Sequence, residues 1–594
     1  MQISRHPRLL TCRAPSVYTN NMASLQRVRV HGYSYWRIVK SQRVNGKPRI
    51  TVIAHLGKAD DLLARLHSAE QLRLRSRSHG ATTAVYALAR ELDLAGTIDR
   101  HLATSGRRDR RQSAHVADPR RTPQSHDGLS VGRSLELVSV GRTCHATSKQ
   151  GFAEWARTTT LGEVAGVDLD RLSSQHFWDQ MDQLPIELLA PIEREIVARA
   201  IERFSLPLDT ILYDATNFFT FIASTNARCK LPARGRNKQK RHDLRQLGVA
   251  LLCTRRDGIP LLHQMYGGQI PDARSFAEAL PLIRQRLLDL GRDLDSLTLV
   301  YDKGNVSQLN QGWVDQTQLH YVASLTASSQ RALITEANPL LQSVTLDEDE
   351  SVMAYRTRRT IWGAERTLVV VVSETLRAGQ IRGILQHTAS AKKWLQDLAD
   401  TLSRGQHKRD RATVQRDIET RLMGRQHLSE VFQFNLRGTG RALRLTYEFD
   451  HDALDALARN WLGRLILVTD RDDWSTAEII RTYRGQAHVE AVFAHLKDPM
   501  HVMLRPQYHW TDQKLHVHVF TCVLSYLLAR VLHLQAQQAV GYTRSMEQLL
   551  DTLAQVRRVN ILRSTQKRGV RVTSQLEEVD PEVAKLIEVL HIQA

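Results

Sequence analysis

The stretch Ile480-Arg-Thr-Tyr-Arg-Gly-Gln-Ala-His-Val-Glu-Ala-Val-Phe-Ala-His-Leu-Lys497 constrains this chain more than any other. Ser475 and Glu478 stand ahead of it at capping-box spacing, and no proline follows until Pro499. The run therefore reads as one helix of roughly six turns. Seven residues advance a helix by about 700°, about 20° short of two turns. Tyr483, Glu490 and Lys497, spaced seven and seven, then share one line along one face. Val489, Val492, Phe493 and Leu496 fall beside that line and are expected to dock the helix on a core. By spacing alone, a core helix with a polar edge reads as well as a functional face.

A carboxylate needs partners to hold a metal, and two strand-like runs upstream supply them. Thr210-Ile-Leu-Tyr-Asp214-Ala-Thr216-Asn-Phe-Phe-Thr-Phe-Ile222 is rich in β-branched and aromatic residues with an acid in its middle. Leu297-Thr-Leu-Val-Tyr-Asp302-Lys-Gly304 is an apolar strand ending in aspartate and a glycine turn. An aspartate at the end of a buried strand is costly unless it is hydrogen-bonded or bound to a cation. One such residue often only caps a loop. Two, followed by a glutamate on an amphipathic helix, point to a hard-oxygen site for Mg2+ or Mn2+.

In order, these residues resemble the DDE transposases of bacterial insertion sequences, in the subgroup with a large β-containing insertion before the glutamate. The resemblance runs from about Tyr33 to the C-terminus. It rests on Asp214-x-Thr216, His242-Asp243-Leu244-Arg-Gln246, Asp257-Gly258-x-Pro260, Asp302-x-Gly304 and the pattern from Tyr483 to Lys497. Two positions depart from the family. Gln486 stands where it carries arginine, the nearest arginine being Arg484, and Gly268-Gln269 stands where it more often has Gly-Asn. The resemblance implies an α/β fold with a ribonuclease-H-like catalytic core interrupted by a β-rich α/β insertion. Asp214, Asp302 and Glu490 would be catalytic and metal-binding, holding two Mg2+ (or Mn2+) ions. Asp214 would bridge both ions while Asp302 and Glu490 hold one each. Tyr483, Arg484 and Lys497 would contact DNA. The implied partners are the element's terminal inverted repeats and target DNA, with a homodimer forming on DNA.

Composition agrees with a polyanionic partner. Lys plus Arg number 82 against 62 acids, a net charge of +20, with a pI near 10.0. A generally basic, arginine-rich proteome is the weaker alternative explanation of the charge alone. The five cysteines (Cys12, Cys144, Cys229, Cys253 and Cys522) are scattered without CxxC spacing. That fits a reducing cytoplasm and argues against a zinc site. Val519 to Ala529 is apolar but too short to span a bilayer, and reads as a buried helix. The basic first twenty or so residues lack a signal-peptide apolar core. The expected location is the bacterial cytoplasm, on the nucleoid, without membrane contact.

Along the chain, residues 1–26 read as disordered or as lying upstream of the true start, with Met22 an alternative initiator. Residues 27–102 form a β-hairpin around Asn45-Gly46 and then helices. The hairpin's basic edge faces DNA or simply packs. Residues 103–130, with Gly106-Arg-Arg-Asp-Arg-Arg111, read as a basic linker. Residues 131–206 form a helical region that resembles the family's DNA-binding helices. Core segments are expected at 207–310 and 463–535, separated by an inserted α/β subdomain at 311–462, and closing helices at 536–594.

Within the first core segment, Ala233 to His242 is a polar loop whose Arg236, Lys238, Lys240 and Arg241 are candidate phosphate contacts, or else a surface loop. Asp347-Glu-Asp-Glu350 reads as a solvated turn. In related enzymes the insertion supplies an aromatic that stacks a flipped base, for which Trp362 is the candidate. His509, His516 and His518 read as polar flank or phosphate contacts.

Three readings compete. The first is a transposase that binds insertion-sequence ends and carries out metal-dependent strand cleavage and strand transfer. The second is a catalytically degenerate or domesticated DNA-binding relic, kept open by Gln486. The third is a ribonuclease-H-like nuclease without strand transfer.

Overall fold

A computed structural model of the chain describes residues 23–44, 47–67, 73–112, 128–223, 225–237, 241–406, 408–423, 427–505, 507–564 and 570–593. Its contacts divide into two compact units, one running to Arg77 and taking in Arg558–Glu577, the other comprising Ser78–Arg557 with Glu578–Gln593.

In the first unit the N-terminal alternation gives three antiparallel strands, β1 (Ala23–Val30), β2 (Tyr33–Val44) and β3 (Lys47–Lys58). β1 and β2 turn at His31-Gly32, both with positive φ (49° and 84°), the pair of conformations a two-residue hairpin needs. The Asn45-Gly46 turn of the expected hairpin lies outside the described residues. A helix (Ala59–His67) and β4 (Arg73–Ser78) follow.

The second unit is built on one large sheet. Its strands are β5 (Thr210–Thr220), β6 (Arg245–Thr254), β7 (Pro260–Gly267), β8 (Thr298–Tyr301), β9 (His320–Leu325), β10 (Gln342–Asp347), β11 (Glu350–Ile361) and β12 (Ala364–Val372). Two strands outside it, β13 (Phe432–Arg437) and β14 (Arg444–Phe449), precede the last member, β15 (Arg464–Thr469). The nine strands lie in the order β10-β11-β12-β15-β9-β8-β5-β6-β7. β5 runs parallel to β8, and β8 to β9, while the other pairs are antiparallel. Parallel strands need a crossover. The helix Asp272–Asp289 supplies it between β7 and β8, burying Phe276, Ala279, Leu280, Ile283 and Leu287.

One helix, Asp512–Val540, fills the interior beneath the sheet. Its 29 residues are long and apolar enough to cross a membrane, and 89% of its most apolar window is buried within the fold. The expected segment at Val519 to Ala529 is thus a buried helix, but one far longer than its apolar centre. His518 is 4% exposed. Burial all round such a helix explains why it shows no apolar stripe.

The inserted subdomain is smaller than the expected 311–462. β9 to β12 belong to the large sheet, since the uniformly buried Leu368–Val372 pairs with Arg464–Val468 of β15. A separate core begins only with the helix Glu374–Ser403 and joins it to the helix Arg411–Met423 and the β13–β14 hairpin through Leu395, Ile418, Leu422, Val431 and Leu443.

The expected linker at 103–130 also begins later, because the helix Leu94–Gln112 runs through its first ten positions. Residues 113–127 lie outside the described residues. The closing segment is not all helical. The Ser545 helix carries a full capping box with Gln548, and the helix Pro581–Val589 starts after Asp580, whose side chain makes no capping bond. Between them β16 (Arg557–Ser564) and β17 (Val570–Leu576) form a hairpin, with β4 beside β16. Alternating Val559 and Ile561, then Val570 and Val572, suit strands rather than helix.

Candidate active site

β5 and β8 place the two aspartates. Their parallel register pairs Tyr213 with Tyr301, so Asp214 and Asp302 are the next residues on neighbouring strands. Both are half-buried, Asp214 in the middle of β5 and Asp302 just past the end of β8. The third carboxylate comes from the segment after β15. There the expected single helix is two, Thr476–Arg484 and Gln486–Lys497. Ser475 caps the first, accepting the N–H of Glu478 at 3.2 Å.

The break falls at Gly485, whose N–H reaches the carbonyls of Arg481 and Thr482 at 3.2 Å. A Cβ there would lie 2.9 Å from Arg255 Cγ, so glycine permits the close approach. Arg255 also holds both helices. Its Nη1 donates to Thr482 Oγ1 (3.1 Å) and its carbonyl lies 2.6 Å from His488 Nδ1. The second helix docks as its stripe predicts, with Val489, Val492, Phe493 and Leu496 all 3% exposed or less.

Asp214, Thr216, Asp302, Gln486, Glu490 and Lys497 thereby line one open cleft. Tyr483 donates its hydroxyl to Asp302 Oδ1 at 3.0 Å. Burial, reinforced by the Asp302 charge, raises its pKa, so it stays a neutral donor. Lys497 Nζ donates to Thr216 Oγ1 at 2.5 Å and lies 5.4 Å from the centre of the Phe218 ring and 5.9 Å from that of Phe493. These contacts aim the ammonium along the cleft wall. The Nε2 of Gln486 is buried and meets no hydrogen-bond partner among the described residues.

The other candidates are placed differently. Arg484 pairs with Glu350 at 2.6 Å and Arg481 reaches Asp347 at 3.9 Å. The acid cluster expected to be a solvated turn is therefore the β10–β11 tip, tied to the helix that carries Tyr483. No spacing rule could have shown that contact, 134 positions apart. Arg241 makes a two-point pair with Asp243, at 2.8 Å in each bond. Arg236 is exposed beside Gly235, where a Cβ would meet the Gly268 carbonyl at 2.0 Å. None of that loop's described residues lines the cleft, and Lys238 and Lys240 lie outside the described residues. Trp362 sits in the β11–β12 turn at φ 53°, partly buried against the core near Arg366. His509 and His518 are buried and held well below the usual imidazole pKa by that burial and by neighbouring cations. His516 is lowered to about 4, mainly by burial. The first two are interior groups rather than phosphate contacts, since the helix bearing His518 is central to the fold.

The donor set of the cleft is all carboxylate oxygen, which fits a hard divalent cation. Among the described residues no three His, Cys, Asp or Glu side chains are gathered into a ready-made cage. The three carboxylates face an open cleft instead. Asp214, Asp302 and Glu490 are the residues that could hold Mg2+ or Mn2+ there.

Residues 25–82 match the N-terminal domain of the IS1634 family of transposases. This match supports a transposase and covers none of the cleft. No curated protein sequence matches the chain. Among solved structures, the piggyBac transposase synaptic complex with hairpin DNA is similar over 79% of each chain, at 9% identity and a TM-score of 0.39. The Mos1 transposase paired-end complex with the left transposon end is similar over 36% of this chain and 64% of its own, at 10% identity and a TM-score of 0.15. Both structural similarities are too low to decide the fold.

Proposed function

We propose that this chain is a DDE-type transposase that binds the ends of an insertion sequence and cuts and rejoins DNA at the Asp214–Asp302–Glu490 cleft. The observation that carries the reading is the convergence of three carboxylates from three separate elements on one open cleft. The strand order β7-β6-β5-β8-β9 supports it, because three antiparallel strands followed by two parallel ones is the arrangement of a ribonuclease-H-like core. The N-terminal domain match supports the same class from an independent part of the chain.

Cutting a phosphodiester places negative charge on both the attacking and the leaving oxygen. Divalent cations, when bound, supply Lewis-acid stabilisation of that charge. The chain's own residues position the rest. Tyr483 fixes one oxygen of Asp302, so its second oxygen keeps a set direction. Lys497 offers fixed positive charge to a backbone phosphate beside the cut. In cleavage, water attacks phosphorus, the P–O bond to the departing strand breaks, and a free 3′-OH remains. In joining, that 3′-OH attacks a phosphodiester of target DNA, a new P–O bond forms as the target's own P–O3′ bond breaks, and a target 3′-OH is released in its place.

Gln486 favours a second reading, a DNA-binding relic. It puts a neutral amide in the cleft where the resemblance implies a cation. Strand joining separates the readings. Incubated with an uncut element end and a supercoiled plasmid in Mg2+, the wild type should cut the end and yield covalently joined product. A hydrolysed end without joining would indicate a nuclease, and binding without either reaction the relic.

A further inference from the structure

Three aromatic side chains stand exposed where a soluble surface would ordinarily hide them. Phe221 is 53% exposed, Tyr508 59% and Trp510 65%. Two come from Gln507-Tyr508-His509-Trp510, whose alternation is strict. Gln507 and His509 are buried, at 0% and 6%, while Tyr508 and Trp510 face out together. Phe221 lies just past the end of β5, and its ring stacks obliquely with that of Tyr508, centroids 5.7 Å apart and planes at 32°.

The patch is held rigid from below. The Phe221 N–H donates to the Gln507 carbonyl at 3.0 Å, and Asn226 Nδ2 to the Trp510 carbonyl at 2.9 Å. His509 packs inward, its ring 5.1 Å from Trp178 and 4.3 Å from His518. The aromatic faces are thus presented without rearrangement, which lowers the entropy cost of binding a flat partner.

The surroundings are basic. Arg228, Lys230 and Arg505 are exposed on the same two segments. The adjoining acid, Asp512, already accepts the backbone N–H groups of Lys230 (3.0 Å) and Leu231 (2.8 Å). The patch is also continuous with the cleft. Arg505 Nε donates to the Lys497 carbonyl at 2.8 Å, and β5 runs past Asp214 and Thr216 to end at Thr220, one residue before Phe221. Five residues of strand from Thr216 span about 17 Å.

We infer that Phe221, Tyr508 and Trp510 form a stacking platform for unpaired bases of a DNA strand that leaves the carboxylate cleft along β5. This rests on the transposase reading above. Bases offer the flat faces that exposed aromatics bind irrespective of sequence, and the flanking arginines and lysine meet their phosphates. A DNA strand uses both features of the patch, the rings for its bases and the cations for its phosphates, whereas an apolar protein segment would use the rings alone.

The test uses the full-length chain and two labelled probes, an oligodeoxythymidine and a duplex of mixed sequence, followed by fluorescence anisotropy. Tyr508→Ala, Trp510→Ala and Phe221→Ala should each weaken oligodeoxythymidine binding by about tenfold and leave duplex binding within about twofold. Tyr508→Phe should bind as wild type. Because all three side chains are exposed, the thermal midpoints should not move, which separates loss of stacking from loss of fold. Alanine variants that bind the single strand as wild type does would overturn the platform. So would wild type that binds duplex alone, which leaves the transposase reading standing. Wild type that binds neither probe would remove both. Self-association of the wild type that the alanine variants abolish, with single-strand binding intact, would assign the patch to a second copy of the chain instead.

Discussion

Two clusters of like charge lie in the same unit and handle their repulsion in opposite ways. In the cleft, Asp214, Asp302 and Glu490 line an opening that a counterion can enter. Under the Tyr508–Trp510 segment, Arg142, Lys149, His509 and His518 are packed together. There burial favours loss of protons. Lys149 is lowered to about 7, by burial first and then by Arg142, and its Nζ lies 3.4 Å from His509 Nε2. His509 and His518 fall well below their ordinary value of 6.5. Arg142 donates to the Val502 and Met503 carbonyls at 2.7 and 3.0 Å. An accessible cluster can keep its charge for a ligand, whereas a buried one gives it up to the fold.

If that contrast is right, removing charge should abolish chemistry in one cluster and relieve strain in the other. The largest effect should follow Asp214→Asn or Asp302→Asn, with cleavage of a labelled duplex falling by about a thousandfold, or ~4 kcal/mol of transition-state stabilisation. Circular dichroism should show the fold retained. Tyr483→Phe, which removes only the hydroxyl that orients Asp302, should cost about 10–100-fold in the same assay.

The buried cluster predicts a pH effect on stability. Between the folded value of Lys149 near 7 and its ordinary 10.5, the unfolded chain binds a proton that the folded chain does not. Stability therefore rises with pH across that window. Urea midpoints taken at its two ends should show the rise in wild type and a smaller one in Lys149→Met. Acidification should act the same way through the histidines, costing stability as pH falls below 6.5.

Gln486→Arg should gain function. A charge-assisted bond to substrate phosphate exceeds a neutral one by ~1 kcal/mol, or about fivefold in kcat/KM. The smallest effect belongs to Arg484→Ala. Its pair with Glu350 is 39% and 51% exposed, so unfolding should shift by no more than ~0.5 kcal/mol with cleavage unchanged. A large loss of cleavage would move Arg484 into the DNA-binding set.

The sequence made local periodicity legible, but not what each element packs against. Asp302 could be found because an apolar run stops at an acid and a glycine, and the Val489–Leu496 stripe told which face of its helix is buried. The adjacency of Asp214 and Asp302 follows from the ribonuclease-H-like core that the resemblance implies, and depends on a crossover that no spacing reveals. The strand Leu368–Val372 was recognisable as buried, but an unbroken apolar run does not say which sheet it joins. The helix break at Gly485 was invisible because its close neighbour, Arg255, is 230 positions upstream (485 − 255). His518 looked like a polar flank because a helix buried on every side has no face to mark it.

The most direct measurement is nicking of a labelled duplex carrying the element's own end, with Mg2+ and with chelator, by the wild type beside Glu490→Gln. The variant keeps the shape of the side chain and removes its charge. Metal-dependent cutting by the wild type alone, leaving a 3′-OH, is the expected result. Equal cutting by both proteins would contradict a three-carboxylate site and place the chemistry elsewhere in the chain.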